Sequence, residues 1–434
     1  MSEREPIGVV GAGWVGLVTA ACFAELGHRV VVREILPAKV EALSRGEVPI
    51  HEPELPELIE RNRERLTFTT EMAKLLDGPR LLFVCVQTPP TYSGDADLSA
   101  VQRAVEEIGE PDGKALVMKS TVPVGTGRTI HRGAPDLAYV SCPEFLKEGT
   151  AVKDFLEPDR VVVGFDRGDE WAADAVAAAY EPLGSPIVRT DLSSAEMIKL
   201  ASNAYLATKI SFINEIANVC DEVGADVTEV ARGMGMDPRI GDRFLNAGLG
   251  FGGSCFPKDT QALKILAGNS GYHFQLLNAV IEVNELQKRR VMAKLSKHLE
   301  SLVGKRVALL GLAFKPDTDD MREASSLVLA SRLEGEGASV VAYDPVAEQQ
   351  ARELLPSVEM AGSSMDALDG ADAAVLVTEW PEFAELDWGE VAKRMSNPLL
   401  VDGRNFLDPK VIRAAGIAYE AIGRPSVGDR SAVS

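Results

Sequence analysis

Short apolar runs that end in glycine or polar residues recur along the first part of the chain. Residues Ile7 to Val10 form one such run, which leads into Gly11-Ala12-Gly13-Trp14-Val15-Gly16 and then into a helical pattern from Leu17 to Leu26. A second run, Arg29 to Arg33, ends at Glu34. Short apolar runs that alternate with helical patterns predict buried parallel strands joined by helices. The first part of the chain is therefore predicted to be an α/β domain.

The glycines that follow the first predicted strand have the spacing of a dinucleotide-binding turn. Gly11 allows a tight turn, Gly13 admits a pyrophosphate, and Gly16 lets the helix pack closely on the strand, with the helix N-terminus facing the phosphates. Glu34, about twenty residues further on, can accept hydrogen bonds from the ribose hydroxyls of an adenosine and would repel a 2′-phosphate. The pattern predicts NAD binding. Arg33, beside this acid, keeps NADP open as an alternative.

Three further strands are predicted in this domain, and each ends in polar residues. The strands are Leu81 to Val86, Ala115 to Met118 and Ala138 to Ser141. Ligands of open α/β sheets lie beyond the carboxyl ends of the strands, so the residues that follow these strands are expected on one rim with the glycines. The candidates on this rim are Thr88, Thr121, Glu144 and Glu148. Helix capping is the alternative role for such hydroxyls and acids.

The middle of the chain changes to long helical patterns. Glu196 to Val223 has apolar residues at helical spacing, and Lys199 and Asn203 project from one face of it, one turn apart. A lysine and an asparagine are costly to bury without a purpose, although a solvated face is the alternative interpretation. A second long helix, from Phe274 to Leu302, is predicted to span about 40 Å, to bridge two domains and to offer a dimer surface.

A cysteine lies among glycines between these two helices, in the segment Gly250-Phe251-Gly252-Gly253-Ser254-Cys255-Phe256-Pro257-Lys258-Asp259. Glycines let the backbone bend sharply and bring N–H groups close to a ligand, and nearby N–H groups or cations favour the nucleophilic thiolate. A free cysteine on its own is more often a small buried hydrophobe. A core element rarely carries three glycines, a proline, a lysine and an aspartate within ten residues. The neighbours therefore favour a reactive centre at Cys255.

The alternation of short strands and helices starts again near Gly304. Strands are predicted at Arg306 to Leu310, Ser339 to Tyr343, Ala373 to Val377 and Leu399 to Val401. The first turn of this part lacks the full glycine fingerprint, which makes a second dinucleotide less favoured than another nucleotide ligand. Lys315 and Arg404 follow strand ends and are candidates for holding phosphate. The predicted domains are residues 1–194, 195–303 and 304–434.

Composition narrows the classes of function. With 434 residues, the chain is long enough for two or three domains. Its formal net charge of −20 argues against nucleic acid or an anionic membrane surface as a partner. The chain has no run of about 18 apolar residues and no signal-peptide order at its start. Five scattered cysteines suit a reducing compartment and indicate neither a disulfide framework nor a zinc site. We expect a cytoplasmic enzyme without a metal.

The glycine loop (residues 11–16), the Lys199/Asn203 helix and the Cys255 segment, in this order, resemble the nucleotide-sugar 6-dehydrogenases of the UDP-glucose/GDP-mannose dehydrogenase family. The resemblance extends over nearly the whole chain and is most specific from Gly250 to Asp259. Other matching segments are Ser120-Thr121-Val122-Pro123, Pro143-Glu144-Phe145-Leu146 with Glu148-Gly149, Phe314-Lys315, and Asp402-Gly403-Arg404. The resemblance implies an α/β fold of two Rossmann-like doubly wound domains, joined by a central helical dimerisation region. The first domain would bind NAD, and the last would bind the UDP-sugar.

The family's chemistry, carried over by resemblance, is the four-electron oxidation of a sugar C6 alcohol to a carboxylate with two NAD⁺. A thiohemiacetal and then a thioester would form on Cys255. Lys199 and Asn203 would stabilise charge on the C6 oxygen, Thr121 and Asp259 would position a water, and Glu144 would act as acid or base. The implied catalytic residues are Cys255, Lys199, Asn203, Asp259, Thr121 and Glu144.

The resemblance also implies binding residues. Those for the cofactor are Gly11, Gly13, Val15, Gly16, Glu34, Lys39, Thr88, Thr121, Glu148, Lys258 and Arg322. Those for the substrate are Glu144, Phe145, Leu146, Lys147, Glu148, Lys199, Asn203, Arg239, Phe244, Asn246, Phe251, Gly252, Phe314, Lys315 and Arg404. A homodimer is implied, with Arg239 contributed across its interface.

Two departures from the family pattern affect these expectations. The family often has Asp-Ile-Asp where this chain has Glu34-Ile35-Leu36, which removes one acid but keeps the ribose contact. The family commonly has Asn where this chain has Cys142 before Pro143. Because of its strand-end position, Cys142 is expected to pack rather than to act as a second nucleophile.

Three alternatives differ in substrate or class. The spelling of the Cys255 segment favours UDP-glucose, but GDP-mannose or a UDP-N-acetylhexosamine would undergo the same chemistry. A two-electron hydroxyacid dehydrogenase also combines a glycine loop with a Lys/Asn pair, yet it needs neither Cys255 nor a second nucleotide domain. A nucleotide-sensing protein without catalysis is least favoured, because a sensor has no use for the full set of reactive side chains.

Overall fold

The computed structural model of the protein describes residues 4–109 and 113–425. The chain forms two compact units. The first comprises Met1–Ser202 with Gln261–Tyr272, and the second comprises Asn203–Thr260 with His273–Ser434. The chain passes from one unit to the other within helices at 202/203 and 260/261 and in a loop at 272/273. The predicted boundaries at 194/195 and 303/304 stay a prediction.

The strands in the described residues form two sheets. Those of the first unit are β1 (Ile7–Val10), β2 (Val30–Arg33), β3 (Leu66–Thr69), β4 (Leu81–Val84), β5 (Ala115–Met118), β6 (Ala138–Ser141), β7 (Val161–Phe165) and β8 (Ile187–Thr190). Those of the second are β9 (Arg306–Leu310), β10 (Ser339–Tyr343), β11 (Glu359–Met360), β12 (Ala373–Leu376), β13 (Leu399–Asp402) and β14 (Ala418–Ala421).

The helices that precede the second sheet begin at the glycine loop. They are α1 (Trp14–Glu25), α2 (Pro37–Arg45), α3 (Leu55–Arg61), α4 (Met72–Leu76), α5 (Ser99–Ile108), α6 (Thr126–Gly133), α7 (Ala151–Leu156), α8 (Glu170–Tyr180), α9 (Leu192–Val223), α10 (Val227–Gly235), α11 (Phe256–Asn269), α12 (Gln275–Gln287) and α13 (Arg290–His298). Those that follow β9 are α14 (Ser325–Gly335), α15 (Glu348–Leu354), α16 (Ser364–Leu368), α17 (Pro381–Ala384), α18 (Trp388–Arg394) and α19 (Pro409–Ala414).

Both sheets have the strand order of a dinucleotide-binding fold. The first sheet is ordered β3-β2-β1-β4-β5-β6-β7-β8, and the second is ordered β11-β10-β9-β12-β13-β14. All neighbouring pairs are parallel except β6 with β7. In each sheet the order reverses beside the first strand of that sheet, which is where such folds bind ligands. The prediction of an α/β protein with two Rossmann-like domains is confirmed.

The apolar runs form strands because helices cover both faces of each sheet. Every residue of β1, β4, β5 and β6 is buried. Helix α1 is buried from Gly16 to Ala24, and its many small residues allow it to pack closely on the sheet. The ring of Phe23 in this helix lies 5.0 Å from that of Phe83 and 5.1 Å from that of Tyr180. The core of the first unit therefore lies directly beneath the loops that follow its strands.

The predicted helix from Phe274 to Leu302 is wrong, because the structure has two shorter helices there. Helix α12 ends at Gln287 and α13 begins at Arg290, with a turn at Lys288 and Arg289. The Lys288 side chain is 1% exposed, and its Nζ lies 2.8 Å from Glu285 Oε1 and 3.7 Å from Glu323 Oε2. These contacts of a buried lysine stabilise the turn, and apolar spacing alone does not reveal them. The longest helix is instead α9, with 32 residues.

Within residues 4–109 and 113–425, no helix combines the length and the apolar character that crossing a membrane requires.

Candidate active site

The glycine loop lies between β1 and the N-terminus of α1. Gly11 has φ +96°, and a Cβ on it would lie 2.8 Å from the carbonyl oxygen of Cys85. A Cβ on Gly16 would lie 1.9 Å from the carbonyl oxygen of Gly11, so the helix packs too closely on the loop for any side chain there. A Cβ on Gly13 would meet no atom within 4 Å. Gly13 thus leaves open space at a helix N-terminus, which fits a pyrophosphate.

Glu34 follows β2 and connects the second strand to the glycine loop. Its Oε2 accepts a hydrogen bond from the Ala12 amide at 3.2 Å, and its Oε1 accepts one from the Ile35 amide at 2.7 Å. Lys39 Nζ lies 3.8 Å from the same carboxylate. The carboxylate is therefore fixed beside the loop, where an adenosine ribose would lie.

Arg33 forms an ion pair with Glu107, which makes it less suited to binding a phosphate. Its Nη2 lies 2.6 Å from Glu107 Oε2, and its side chain is 13% exposed. A guanidinium already neutralised by a carboxylate has less attraction for a 2′-phosphate. The contact favours NAD over NADP.

Residues after β4, β5 and β6 meet on the rim of the first sheet, as the strand ends predict. The Thr88 hydroxyl donates a hydrogen bond to the Thr121 carbonyl at 2.9 Å. Glu144 is 4% exposed, and its Oε1 lies 2.8 Å from Nζ of Lys199, which is 3% exposed. Glu144 Oε2 also accepts a hydrogen bond from the Leu146 amide at 2.6 Å.

The buried pair of Glu144 and Lys199 sets the protonation of the carboxyl. Burial by itself raises the pKa of Glu144, but the positive charge and hydrogen bond of Lys199, together with the Leu146 amide, outweigh it. The pKa of Glu144 is therefore below its ordinary value. At neutral pH, Glu144 is a carboxylate that can accept a proton.

The segment that follows Glu144 carries four other predicted substrate residues. The Phe145 ring lies under the Arg160 guanidinium at 3.6 Å and 5.5 Å from Lys199 Nζ. Leu146 and Glu148 are partly buried, whereas Lys147 is exposed and lies 3.3 Å from Asp154. The segment is thus fixed by its own contacts before any ligand binds.

Glu52 was missed by the sequence analysis, although it contacts two parts of this rim. Its carboxylate accepts hydrogen bonds from the Trp14 indole and from the amides of Gly149 and Ala151, each at 2.8 Å. It is 2% exposed. The sequence does not reveal this role, because a glutamate in a proline-containing loop is usually exposed to solvent and nothing in the pattern marks Glu52 as buried.

Cys255 immediately precedes α11 in the second unit. The Asp259 amide donates to the Cys255 carbonyl at 2.9 Å, which closes the first turn of the helix. The Cys255 side chain is partly exposed, and its Sγ lies 3.6 Å from Ser254 Oγ. The N-terminus of a helix carries partial positive charge and favours an anion such as a thiolate.

The Asp259 carboxylate contacts two other predicted residues, one catalytic and one cofactor-binding. Its Oδ2 accepts a hydrogen bond from Asn203 Nδ2 at 2.6 Å, and its Oδ1 lies 2.8 Å from Lys258 Nζ. Asp259 is 1% exposed and Asn203 is 6% exposed. The buried carboxylate is thereby paired with a cation and an amide one turn after Cys255.

The cysteine loop (residues 248–255) is held in place by amide side chains that sequence reasoning missed. Asn284 exchanges two hydrogen bonds with the backbone of Phe251, at 2.7 and 3.0 Å. Gly248 donates to Asn214 at 2.8 Å and accepts from Gln287 at 2.9 Å. Asn284 and Gln287 share the buried face of α12 with two apolar residues. Two amide side chains at positions where the helical pattern expects apolar residues were the signal that could have identified them.

The glycines of the cysteine loop allow close contact with the turn after β9. A Cβ on Gly252 would lie 2.4 Å from the Glu323 carbonyl oxygen, and one on Gly253 would lie 2.8 Å from the Phe314 ring. Gly253 has φ +81°, and its amide donates to the Arg322 carbonyl at 2.8 Å. The Arg322 guanidinium pairs with Asp320 at 2.7 Å and is 63% exposed.

Arg404 makes structural contacts at the position predicted for phosphate binding. Its guanidinium donates to the carbonyls of Val377, Gly250 and Phe314 at 2.6, 3.2 and 3.1 Å. It also lies 3.3 Å from Glu379. Arg404 therefore joins two strand-end turns of the second sheet to the cysteine loop.

The second sheet also has an acid at the end of its second strand, Asp344, but its oxygens are used differently from those of Glu34. Asp344 Oδ2 accepts from the amides of Leu312 and Ala313 and from the Trp380 indole at 2.7, 3.0 and 3.1 Å. Its Oδ1 accepts from two further amides, at 3.0 and 2.9 Å. Five donors occupy this carboxylate, which explains physically why this turn is unsuited to a ribose.

The remaining predicted substrate residues lie near the cysteine loop or on the surface. Phe244 has φ +66°, and its ring lies 6.1 Å from the Phe256 ring. Asn246 is exposed, and Arg239 is 87% exposed and pairs with Asp237 at 2.6 Å. A left-handed backbone at a non-glycine residue is uncommon and often marks a functional site.

The predicted residues thus form two groups. In the first unit, the glycine loop and Glu34 lie on the same rim as the Glu144–Lys199 pair. In the second, Lys258 and Asp259 lie within one turn of Cys255, and Asn203 donates a hydrogen bond to Asp259. Lys199 and Asn203 belong to the same helix, α9, one turn apart. Among the described residues, no cluster of three or more His, Cys, Asp or Glu side chains could hold a metal ion.

Comparison with known proteins finds one family whose three domains match successive parts of this chain. The UDP-glucose/GDP-mannose dehydrogenase family matches with its NAD binding domain at residues 5–184, its central domain at 193–286 and its UDP binding domain at 308–409. The match to the NAD binding domain confirms the predicted cofactor.

Similar proteins cover almost the whole chain. UDP-glucose 6-dehydrogenase TuaD of Bacillus subtilis is 44% identical over 97% of this chain and 94% of its own length. A UDP-glucose 6-dehydrogenase of Rhizobium meliloti is 43% identical over 96% and 99%. The solved structure of a UDP-glucose dehydrogenase from Pyrobaculum islandicum has 37% identity and a TM-score of 0.89 over 98% and 99%. The chain therefore belongs to the UDP-glucose/GDP-mannose dehydrogenase family.

Proposed function

We propose that this chain oxidises the C6 alcohol of UDP-glucose to the carboxylate of UDP-glucuronate, through a thioester on Cys255. The observation that carries the proposal is the position of Cys255 at the start of α11, one turn before the buried Asp259. The names of the similar proteins support the choice of UDP-glucose. When bound, NAD⁺ takes up the hydride released from C6 in each of the two oxidations.

Lys199 and Asn203 act on the C6 oxygen. Both side chains are donors on one face of α9, and both are nearly buried, so each stabilises negative charge more strongly than it would in water. Lys199 relays the alcohol proton as the C–H bond breaks: its ammonium gives one proton to the Glu144 carboxylate, 2.8 Å away, and its amine takes the proton of the C6 hydroxyl. The product of this step is the aldehyde, and Glu144 returns to the carboxylate by releasing its proton to solvent.

Cys255 then holds the aldehyde covalently. Its thiolate adds to C6, a C–S bond forms as the C=O π bond breaks, and the oxygen takes a proton from Lys199 to give a thiohemiacetal. Loss of the second hydride from C6 and return of this proton to Lys199 leave a thioester. The amides at the start of α11 favour the thiolate before addition and again after it is released.

Three of the predicted catalytic residues, Asp259, Thr121 and Glu144, act in the hydrolysis of the thioester. Asp259 and Thr121 position the water, and Glu144, ionised at neutral pH, accepts its proton. The water oxygen bonds to C6, the C–S bond breaks, the second water proton leaves to solvent, and the thiolate is regenerated with the carboxylate product. The base is therefore ready without a prior change of protonation.

The binding roles follow the two sheets. Thr88, Glu148, Lys258 and Arg322 join the glycine loop in binding NAD. Lys315 and Phe314 contact the UDP moiety, and Arg404 supports them through its bond to the Phe314 carbonyl.

The first test is the stoichiometry with UDP-glucose and NAD⁺. We expect two NADH and one UDP-glucuronate for each UDP-glucose consumed. One NADH without a carboxylate product would reject the thioester mechanism and favour a two-electron dehydrogenase. Indifference to UDP-glucose with rapid turnover of GDP-mannose or a UDP-N-acetylhexosamine would reject the substrate but keep the chemistry.

The second test is Cys255→Ser. We expect it to lower net turnover by at least about 10⁴-fold, because the covalent step is lost. Cys220→Ser, at a buried cysteine outside the site, is the matched control and should keep the wild-type rate. Equal rates for Cys255→Ser and the wild type would remove Cys255 from the mechanism.

We further propose a cytoplasmic homodimer that associates through α9. Large apolar side chains on this helix are exposed at seven-residue intervals, at Tyr205 (63%), Phe212 (48%) and Val219 (55%). Such a stripe is typical of a helix that packs against another helix. Arg239, 87% exposed, would act on the substrate of the partner subunit.

Light scattering tests the dimer directly. Phe212→Glu should convert the dimer to a monomer, because it would place a charge in the apolar contact. Val411→Glu, at an exposed apolar residue elsewhere, should leave the dimer intact. A wild-type monomer, or a dimer that tolerates Phe212→Glu, would contradict the proposal.

A further inference from the structure

Glu52 lies in the loop between α2 and α3, outside every motif used so far. Burial of a carboxylate is costly unless hydrogen bonds compensate for the lost water. Glu52 is 2% exposed and accepts three hydrogen bonds, each at 2.8 Å. The backbone beside it is also unusual, because Glu54 has φ +65°. The carboxylate is thus held in a defined position by three hydrogen bonds, and Glu54, two residues further on, has a backbone conformation that non-glycine residues rarely adopt.

The three donors come from two separate parts of the rim. Glu52 Oε2 accepts from the indole of Trp14, the first residue of α1, and from the Gly149 amide. Glu52 Oε1 accepts from the amide of Ala151, the first residue of α7. One side chain therefore connects the glycine loop to the segment between β6 and α7.

The strand order assigns these two parts to different halves of a dinucleotide. Such sheets consist of two mononucleotide-binding halves that meet where the order reverses, here between β1 and β4. Glu34, after β2, places the adenosine over the first half. The nicotinamide half then lies over β4 to β6, where the segment with Gly149 begins.

We propose that Glu52 is a positioning residue for NAD⁺, which fixes the distance between the pyrophosphate loop and the segment beside the nicotinamide half. Its three hydrogen bonds hold the two parts in register before the cofactor arrives, so binding does not have to order them. The proposal rests on the NAD site and not on the identity of the sugar. Failure of UDP-glucose to react would leave it intact.

The test compares the affinities of NAD⁺ and AMP by calorimetry. Glu52→Gln keeps the size of the side chain but turns an amide NH₂ toward one of the three N–H donors. NAD⁺ spans both parts of the rim, so its dissociation constant should rise about 10- to 100-fold when a hydrogen bond to a charged group is lost. AMP contacts only the first part, and its dissociation constant should change less than about twofold.

Trp14→Phe keeps the aromatic ring but removes the indole N–H. It should weaken NAD⁺ more than AMP, and it should add little in the Glu52→Gln background, because both changes break the same connection. Glu54→Gln, at the exposed acid two residues away, is the control and should leave both affinities unchanged.

Three outcomes would overturn the proposal. They are unchanged NAD⁺ affinity in Glu52→Gln, an equal loss of NAD⁺ and AMP affinity, and full additivity of the two variants. If Glu52→Gln does not fold, Trp14→Phe decides alone, and unchanged NAD⁺ affinity in that variant rejects the role.

Discussion

Removing the charge of Lys199 tests the buried ion pair of the first unit. In Lys199→Met, Glu144 stays buried and keeps the Leu146 amide but loses its nearest cation. Breaking a buried pair by removing one partner typically costs about 3–5 kcal/mol. The first unit comprises Met1–Ser202 with Gln261–Tyr272, and for a unit of that size each kcal/mol corresponds to about 2–4 °C in melting temperature. We therefore expect its melting transition to fall by about 6–20 °C at neutral pH.

The pH dependence of this loss has a definite sign. In the wild type the folded-state pKa of Glu144 is lowered, so its contribution to stability is present above the ordinary glutamate pKa and is lost as the pH falls through the folded value. In Lys199→Met, burial dominates and raises the pKa, so ionisation of Glu144 becomes destabilising as the pH rises. The difference in melting temperature between the two proteins should grow from pH 4.5 to pH 8.

Scanning calorimetry across this pH range provides the measurement. Lys147→Met is the matched control, because its ion pair with Asp154 has a lysine that is 57% exposed, and such pairs are worth at most about 1 kcal/mol. Adding Glu144→Gln to Lys199→Met should remove the pH dependence and restore part of the stability. A Lys199→Met protein that melts with the wild type at every pH would refute the reasoning.

Two further predictions concern the cysteine loop. Gly253→Ala puts a Cβ 2.8 Å from the Phe314 ring at a residue with φ +81°, so it should displace the loop and lower turnover about 10- to 100-fold in a steady-state assay. The control is Gly268→Ala, in a helix, where a Cβ would meet no atom within 4 Å and turnover should not change. Asn284→Leu leaves two buried backbone groups of the loop unsatisfied and should cost about 2–5 kcal/mol, read as a lower melting temperature of the second unit with reduced turnover. Unchanged turnover in either variant would show that the loop does not depend on that contact.

The strands were predictable where burial is complete. Strands in which every residue is buried, such as β5 (Ala115–Met118), have an apolar run that is itself the signal. Strand β7 (Val161–Phe165) has four buried residues and was nevertheless not recognised. Strand β8 (Ile187–Thr190) is partly exposed at the edge of its sheet, and β11 (Glu359–Met360) has only two residues, so neither was recognised. The turn at Lys288 was missed because a distant carboxylate helps to hold it.

The candidate reactive residues stand out in the sequence, but the residues that hold them do not. A cysteine among glycines is conspicuous in any sequence, and Lys199 and Asn203 stand out on an apolar helix. Glu52 and Arg404 act through backbone groups far away in sequence, and such pairings depend on the folded topology. Asn284 could have been predicted from the sequence, because it occupies a position on the buried, apolar face of its helix.

The full occupancy of Asp344 limits what could be engineered into the second sheet. Introducing glycines at residues 311–316 would copy the fingerprint of the first sheet but not its function, since the acid that should receive a ribose already has five donors. Trp380 would have to be replaced and the turn after β9 moved before Oδ2 became available, and Oδ1 would still accept from the amides of Val346 and Ala347. Two sheets with one strand order are therefore not interchangeable receptors, because the acid after the second strand has less unused acceptor capacity in one sheet than in the other.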